Sequence, residues 1–291
     1  MSHPTDTSIA VLGLGAMGAA LVSRLLDAGI EPIVWNRTER RGDALVERGA
    51  VRAATVADAV AQADVVVACL YDHASVHETL DPVATALTGR TVINVTTTTP
   101  NESRELATWA GSHSIAFLDG AIMATPPMIG TREGSILYSG PRPIFDANHD
   151  LLDMWAPSSF EGDDPGLAAL LDLALLSGMY TMFAGFLHGA AMVGTAGVPA
   201  KEFAARAAPF LAAMTFAFAD DGAVIDGGDY DVPGQQSLEW SDLRPLVRAS
   251  TEAGVDPSLL AKVQELIDRQ VAAGHGDHAF ARIHESFLQR T

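Results

Sequence analysis

An almost wholly apolar run from residue 167 to 187 carries one carboxylate, Asp172. If the run is helical, Asp172, Leu176, Met179, Tyr180 and Phe183 share one broad face. Tyr180 follows Asp172 by eight residues, about two turns or ~12 Å along a helix axis. That is too far for a mutual hydrogen bond, but suits the two ends of one small ligand. His188 falls on roughly the opposite face and reads as a core or interface histidine. No lysine precedes Lys201, so proton chemistry across the first 200 residues rests on an acid and not on an amine.

Burial of a carboxyl group without a cation is costly in its charged form, and its pKa is expected to rise. Either protonation state suits reduction of a C=N bond, because hydride addition to carbon needs positive charge on nitrogen. A protonated Asp172 gives a proton to the imine; an ionised one stabilises an iminium already formed. Tyr180 adds a proton donor or an orienting hydroxyl. The alternative for Asp172 is a structural carboxylate paired across an interface, and for Tyr180 an ordinary buried tyrosine.

A nucleotide site is legible at the N-terminus, in Gly13-Leu14-Gly15-Ala16-Met17-Gly18. It follows an apolar strand pattern and opens a helical one, the context that a dinucleotide fingerprint requires. Gly13 permits the tight turn, Gly15 lets the backbone approach a pyrophosphate, and Gly18 lets helix and strand pack closely. The free N–H groups of Ala16 and Met17 open the helix toward the phosphates. After the second strand stand Asn36, Arg37 and Thr38, with Arg40 and Arg41 next. No carboxylate occupies the position that binds the ribose of NAD, and arginine suits a 2′-phosphate. The expected cofactor is NADPH, with Asn36, Arg37, Thr38 and Arg41 at its phosphate. Leu70 and Tyr71, and then Asn94, end two further strands, where ligands of doubly wound sheets lie. Asn94 precedes Val95 and four threonines and is expected at the nicotinamide ribose or the substrate; an ordinary polar turn is the alternative. No metal is expected at this site.

The elements that must position these residues follow from periodicity. Strand patterns at 8–12, 31–35, 64–70, 91–95 and 115–118 alternate with helical ones at 16–28, 38–48, 56–61, 74–86 and 101–111. Alternation of this kind implies βαβ units and a parallel sheet. A strand at 135–139 and a helix at 141–152 continue it weakly. The stretch 156–166, rich in Pro, Ser, Gly and Asp, reads as a boundary. Only helices follow, at 164–194, 199–219, 237–253, 257–273 and 277–290. The expected fold is α/β. Residues 1–162 form a Rossmann domain with a doubly wound, mainly parallel sheet; residues 163–291 form a long interdomain helix and an all-helical domain.

The 291 residues suffice for two domains, and a formal net charge of −18 argues against nucleic acid or an anionic membrane as partner. Only 15 uncharged residues separate Asp172 from His188, short of the ~20 that a bilayer needs, so the helix is expected to be buried in protein. One cysteine, Cys69, and no secretory leader pattern point to the cytoplasm.

Across nearly the whole chain these residues resemble the imine reductases and reductive aminases, a branch of the β-hydroxyacid dehydrogenase superfamily. The resemblance rests on the glycine motif, Trp35-Asn36-Arg37-Thr38, Asn94 and its threonines, and residues 119–130 (DGAIMATPPMIG). It also includes Asp172 with Tyr180 and the loop Gly227-Gly228-Asp229-Tyr230. It implies Asp172, Tyr180 and Asn94 as the catalytic set, NADPH as cofactor, and a small-molecule imine, or a carbonyl with an amine, as substrate. The parent dehydrogenases carry a lysine on the interdomain helix, which has no counterpart here. Their Ser- and Gly-rich carboxylate-binding segment gives way to the largely apolar 122–127. Both departures disfavour an anionic hydroxyacid. The resemblance further implies a domain-swapped homodimer with intertwined C-terminal domains, and partner residues around Met214, Phe218 and 235–240 closing the pocket. Two other readings remain: a hydroxyacid or aldehyde dehydrogenase with altered acid/base chemistry, and a non-catalytic NADP(H)-binding protein.

Overall fold

The computed structural model describes residues 7–288. Its N-terminal part alternates strands with helices. β1 (Ile9–Leu12), α1 (Ala16–Asp27), β2 (Ile33–Trp35), α2 (Asp43–Glu47) and β3 (Val51–Arg52) come first. α3 (Val56–Ala61), β4 (Val65–Ala68), α4 (His73–Leu80), α5 (Ala84–Leu87), β5 (Thr91–Asn94) and α6 (Pro100–Ser112) follow. β6 (Ala116–Met123), β7 (Ser135–Ser139), α7 (Arg142–Trp155) and β8 (Ser158–Gly162) complete the sheet. The strand order is β3-β2-β1-β4-β5-β6-β7-β8. The first six strands run parallel; β7 pairs antiparallel with β6, and β8 runs parallel to β7.

Apolar residues on both faces of the strands explain why helices cover both sides. In β1, Ile9 and Val11 enter one core, and Ala10 and Leu12 the other. β4 divides its valines in the same way, Val65 and Val67 against Val66. Successive side chains point to opposite faces, so a strand buried on both faces reads as a continuous apolar run. α1 seals the first face with Leu21, Val22 and Leu25, and Trp155 of α7 packs there with its indole N–H donating to the Leu21 carbonyl at 3.3 Å. On the second face Val60, Val76, Leu80, Leu87 and Leu106 come from α3 to α6. Capping boxes start two of these helices, Thr55 with Asp58 at α3 and Thr99 with Glu102 at α6.

Helices alone follow β8: α8 (Leu167–Gly194), α9 (Ala200–Met214), α10 (Phe218–Gly227), α11 (Arg244–Glu252) and α12 (Ser258–Ala272). The chain divides into two compact units, the first ending at Ser177 and the second beginning at Gly178. Within the second, Phe186 of α8 stacks on Phe203 of α9 with ring centroids 5.7 Å apart. Tyr230 donates to Glu285 at 2.9 Å, and the Arg282 guanidinium lies 4.8 Å from the Tyr230 ring centroid.

Several elements differ from the sequence expectation. The helix expected at 38–48 is a 3-10 turn, Glu39–Gly42, followed by the short α2. The pattern 74–86 breaks around Pro82 into α4, a 3-10 turn and α5. Two strands were not anticipated. β3 has only two residues, and β8 lies inside the Pro- and Gly-rich stretch read as a boundary. The pattern 199–219 divides into α9, a 3-10 turn and α10. The pattern 237–253 holds a 3-10 turn, Leu238–Trp240, before α11, and 277–290 contains only the 3-10 stretch Phe280–Ser286 among the described residues. The long helix is a further difference. Only Ala168, Ala169 and Asp172 of α8 are buried, whereas Leu175, Tyr180, Met182, Phe183 and Leu187 are exposed in the single chain. Residues 167–194 and 200–227 are both long and apolar enough to cross a membrane by length and composition.

A prediction tests the tightest point of the fold. A Cβ at Gly18 would collide with the Gly13 carbonyl oxygen, which the β1–α1 turn fixes. Gly18→Ala is expected to destabilise the protein by about 1–3 kcal/mol or more, as overpacking does. At Gly15 a Cβ meets nothing within 4 Å, so Gly15→Ala should leave the melting temperature of the cofactor-free protein unchanged. Equal melting of the two variants would contradict this account.

Candidate active site and cofactor cleft

The glycine turn is built as a phosphate cradle. Gly13 adopts φ +99°, and a Cβ there would strike the Cys69 carbonyl at the end of β4. Its N–H donates to the Trp35 carbonyl at 2.9 Å, tying the turn to β2. Gly15 is the N-cap of α1 and provides no side-chain cap, and the first turn of α1 carries no acid. The free N–H groups therefore remain for an anion. The Leu14 N–H donates to Asn36 Oδ1 at 2.8 Å, and Asn36 Nδ2 donates to the Thr38 carbonyl at 2.9 Å. Asn36 thus links the glycine turn to the segment after β2. Arg37, Thr38 and Arg41 are exposed there, and neither arginine has an ion pair among the described residues. Nearby Arg52, by contrast, is engaged by Asp43 at 2.6 Å. Two uncommitted guanidinium groups beyond β2 suit a 2′-phosphate. The Leu70 N–H donates to Thr96 Oγ1 at 2.9 Å, and Tyr71 next to it is 90% exposed. Burial pushes the Cys69 thiol up to about 11, which keeps it neutral and unreactive.

The acid site is built from three adjacent strands, from the last residues of β5 and β7 and the middle of β6. Asn94 on β5 lies beside Asp119 on β6, and Asp119 lies beside Ser139 on β7. Asn94 Nδ2 donates to Asp119 Oδ1 at 2.8 Å, and Ser103 Oγ donates to Oδ2 at 3.0 Å. Thr98 Oγ1 lies 2.7 Å from Ser103 Oγ and continues the network. Ser139 Oγ accepts from the Ala168 N–H at 2.9 Å and donates to the Pro165 carbonyl at 3.0 Å, which pins the start of α8. One helical turn beyond Ala168 comes Asp172, buried at 5% exposure. Two carboxyl groups are thus buried near one another, and among the described residues neither has a cation. Burial, partly offset by the bonds from Asn94 and Ser103 and reinforced by repulsion from Asp172, pushes Asp119 up to about 7. Burial also raises Asp172 above the usual carboxylate range.

Asn94 is fully buried, with its amide on Asp119 and, at 3.4 Å, on the Thr96 carbonyl. In this structure its side chain contacts Asp119 and does not face open space. Tyr180, two turns beyond Asp172 on α8, is 65% exposed. Sequence reasoning did not single out Asp119, Ser103 or Ser139. Asp119 had a signal, a carboxylate directly after an apolar strand pattern; Ser103 and Ser139 had none.

The strand order, the glycine cradle and the paired acids define the class: a dinucleotide-dependent oxidoreductase of Rossmann type. Comparison with known proteins narrows it. Residues 8–162 match the NAD binding domain of 6-phosphogluconate dehydrogenase, and residues 164–289 match the NADPH-dependent reductive aminase-like C-terminal domain. The chain is 35% identical to the NADPH-dependent reductive aminase of Aspergillus oryzae over 284 residues, 96% of each protein. The reductive aminase of Aspergillus terreus in complex with NADPH and ethyl levulinate superposes with a TM-score of 0.93 at 39% identity, over 97% of this chain and 99% of that one. The imine reductase of Myxococcus stipitatus in complex with NADP+ gives 0.91 at 32% identity, over 96% and 99%. The chain belongs to the family of NADPH-dependent reductive aminases and imine reductases, oxidoreductases that act on C=N bonds.

The buried acid should be visible in stability. An unfolded Asp titrates near ~3.9 and native Asp119 at about 7, so between these values the native state binds the extra proton. Stability then falls as pH rises through this window, and the full cost is present above it. Asp119→Asn removes this titration. Relative to the native protein it is expected to gain about 3 kcal/mol between pH 5 and pH 8, some two units, from pH 5 up to the native value, at ~1.4 kcal/mol each. Melting curves of the two proteins at both pH values measure the change. A constant gap would contradict it.

Proposed function

We propose that the protein reduces the C=N bond of a small imine to an amine with NADPH, including imines formed from a carbonyl compound and an amine. The observation that carries this reading is the buried pair Asp119 and Asp172, which has no cation beside it among the described residues. A substrate nitrogen that becomes positive during reduction supplies the charge that the site lacks.

The residues of the cleft fit the cofactor. Ala16 and Met17 at the start of α1 offer N–H groups to the pyrophosphate, with Gly13, Leu14 and Gly15 forming the turn. Arg37, Thr38 and Arg41, supported by Asn36, receive the 2′-phosphate, and Leu70 and Tyr71 line the cleft beyond β4. When bound, NADPH supplies the hydride. Asp172 holds the proton. Burial raises its pKa, which favours the protonated form that donates to the imine nitrogen and afterwards, ionised, pairs with the cation. Once ionised, Asp172 helps to hold the proton on Asp119, and Asn94 and Ser103 fix Asp119 in place. Asn94 accordingly acts as a positioning residue, through Asp119. The Tyr180 hydroxyl provides the second polar contact to substrate.

The reading includes a homodimer with intertwined C-terminal domains. The exposed apolar side chains of α8 and of the α9–α10 segment support it. Tyr180, Leu187, Phe210, Phe216 and Phe218 are each more than 60% exposed in one chain. Covering such a side chain stabilises by about 1.5–3 kcal/mol. A reducing, cytoplasmic setting is consistent with the single free thiol of Cys69.

The test is NADPH oxidation with a small cyclic imine. Turnover should fall at least ~100-fold in Asp172→Ala while NADPH affinity stays within about twofold of the native value. NADH should be the poorer cofactor, and Arg37→Ala should narrow that preference. Imine-independent behaviour, or unchanged turnover in Asp172→Ala, would refute the assignment. Tight NADPH binding without imine-dependent oxidation would favour the non-catalytic reading.

Light scattering is expected to give twice the 30.5 kDa mass of one chain. Leu187→Glu should shift the protein toward single chains and lower turnover with it. A monomeric native protein would refute the dimer.

A further inference from the structure

Apart from the acid pair, two histidines and a glutamate converge on the outer face of the first unit. His73 and His77 lie one turn apart on α4, hence on one face of it. Glu105 comes from the middle of α6. The Nε2 atoms of both histidines approach the same carboxylate oxygen, Glu105 Oε2, at 2.8 and 2.9 Å. No two of these three atoms are more than 4.8 Å apart.

We propose that His73, His77 and Glu105 form a binding site for a divalent transition metal of the zinc class. Bonds of ~2.0–2.1 Å to one tetrahedral ion place neighbouring ligand atoms about 3.3 Å apart, close to the two nitrogen–oxygen distances seen here. Small rotations of the imidazoles bring the third pair into range. Two imidazoles and one carboxylate are a borderline donor set, suited to Zn²⁺, Co²⁺ or Ni²⁺ and poorly suited to Mg²⁺ or Ca²⁺.

The surroundings are those of a metal site. His77 Nδ1 lies 2.9 Å from Asp81 Oδ1, so an Nδ1–H donated to that carboxylate leaves the Nε2 lone pair for the metal. The Trp109 ring meets His77 edge-on at 5.9 Å and forms an apolar back wall. The histidine side chains are about a quarter exposed and that of Glu105 about half. One side of the site is therefore open for a water or an exogenous ligand in the remaining position.

The site also has a defined mechanical consequence. α4 follows the Leu70–Tyr71 turn, and α6 follows the threonines after Asn94. The Leu70 N–H bond to Thr96 Oγ1 already joins these two turns. A metal shared by α4 and α6 clamps the helices that lead away from both.

The experiment is titration of the full-length chain, free of any histidine tag, with ZnCl2 by calorimetry, and with CoCl2 by visible absorption. One Zn²⁺ per chain with a dissociation constant on the order of micromolar is expected, together with a rise in melting temperature. Bound Co²⁺ should give the intense visible bands of a four-coordinate site. Glu105→Gln and His77→Gln should each weaken Zn²⁺ at least about tenfold, while His275→Ala, remote in sequence, should not. Glu105→Gln preserves shape, so a well-folded variant is at hand if His77→Gln unfolds. No binding at 100-fold excess over micromolar, or binding that survives both substitutions, would overturn the proposal. The readout is metal affinity and spectrum, so it stands or falls separately from imine reduction.

Discussion

The site depends on the register of three adjacent strands. Parallel pairing of β5 with β6 puts Asn94 beside Asp119, and the antiparallel return of β7 puts Ser139 beside Asp119 on its other flank. A register slip of one residue would send every side chain of the slipped strand to the opposite face. Ser139 then governs a second element, because its hydroxyl receives the Ala168 N–H and so fixes where α8 begins. Asp172 follows one turn later, at the distance that lets its charge act on Asp119. Sheet register therefore sets the surroundings of Asp119 and, through Ser139, the start of the helix that carries Asp172.

The carboxyl network is stable because its polar atoms are nearly all paired. Asn94, Ser103, Thr96 and Thr98 are buried, and each has hydrogen-bond partners. Burial of an amide or hydroxyl with its partner is close to neutral, whereas an orphaned one costs about 1–3 kcal/mol. The energetic burden is concentrated on charge, in two acids that have no countercharge among the described residues. A site of this kind stabilises a cation in its ligand more than it stabilises itself.

Much of this was legible in the sequence, for definite physical reasons. Strands buried on both faces are continuous apolar runs, so β1, β4 and β5 were found to within two residues. The glycine turn was readable because Gly13 and Gly18 answer to backbone collisions that no other residue avoids. Asp172 stood out because an acid within an apolar helix is rare. Asp119 did not, because its meaning comes from strands 25 residues away in one direction and 20 in the other. β8 was read as a boundary because a short strand at the edge of a sheet tolerates Ser, Pro and Gly. The burial of α8 was expected from hydropathy alone. In one chain most of its apolar side chains are bare, and hydropathy does not say whether a neighbouring element or a second copy covers them.

A lysine at the acid site would change its character. An ammonium group beside Asp119 and Asp172 would neutralise them and restore ordinary carboxylate behaviour, with both acids ionised at neutral pH. It would also repel a nitrogen acquiring positive charge. A hydroxyacid site needs a cation to hold its anionic substrate and a base to take the alcohol proton. An imine site needs the reverse, a proton available near neutrality and negative charge uncovered once the proton has gone. Of the two buried acids, Asp119 is hydrogen-bonded by Asn94 and Ser103, and burial raises both, which is the charge pattern that the proposed imine chemistry calls for. Coulomb repulsion between them opposes the second ionisation, so once one acid is charged the other holds its proton.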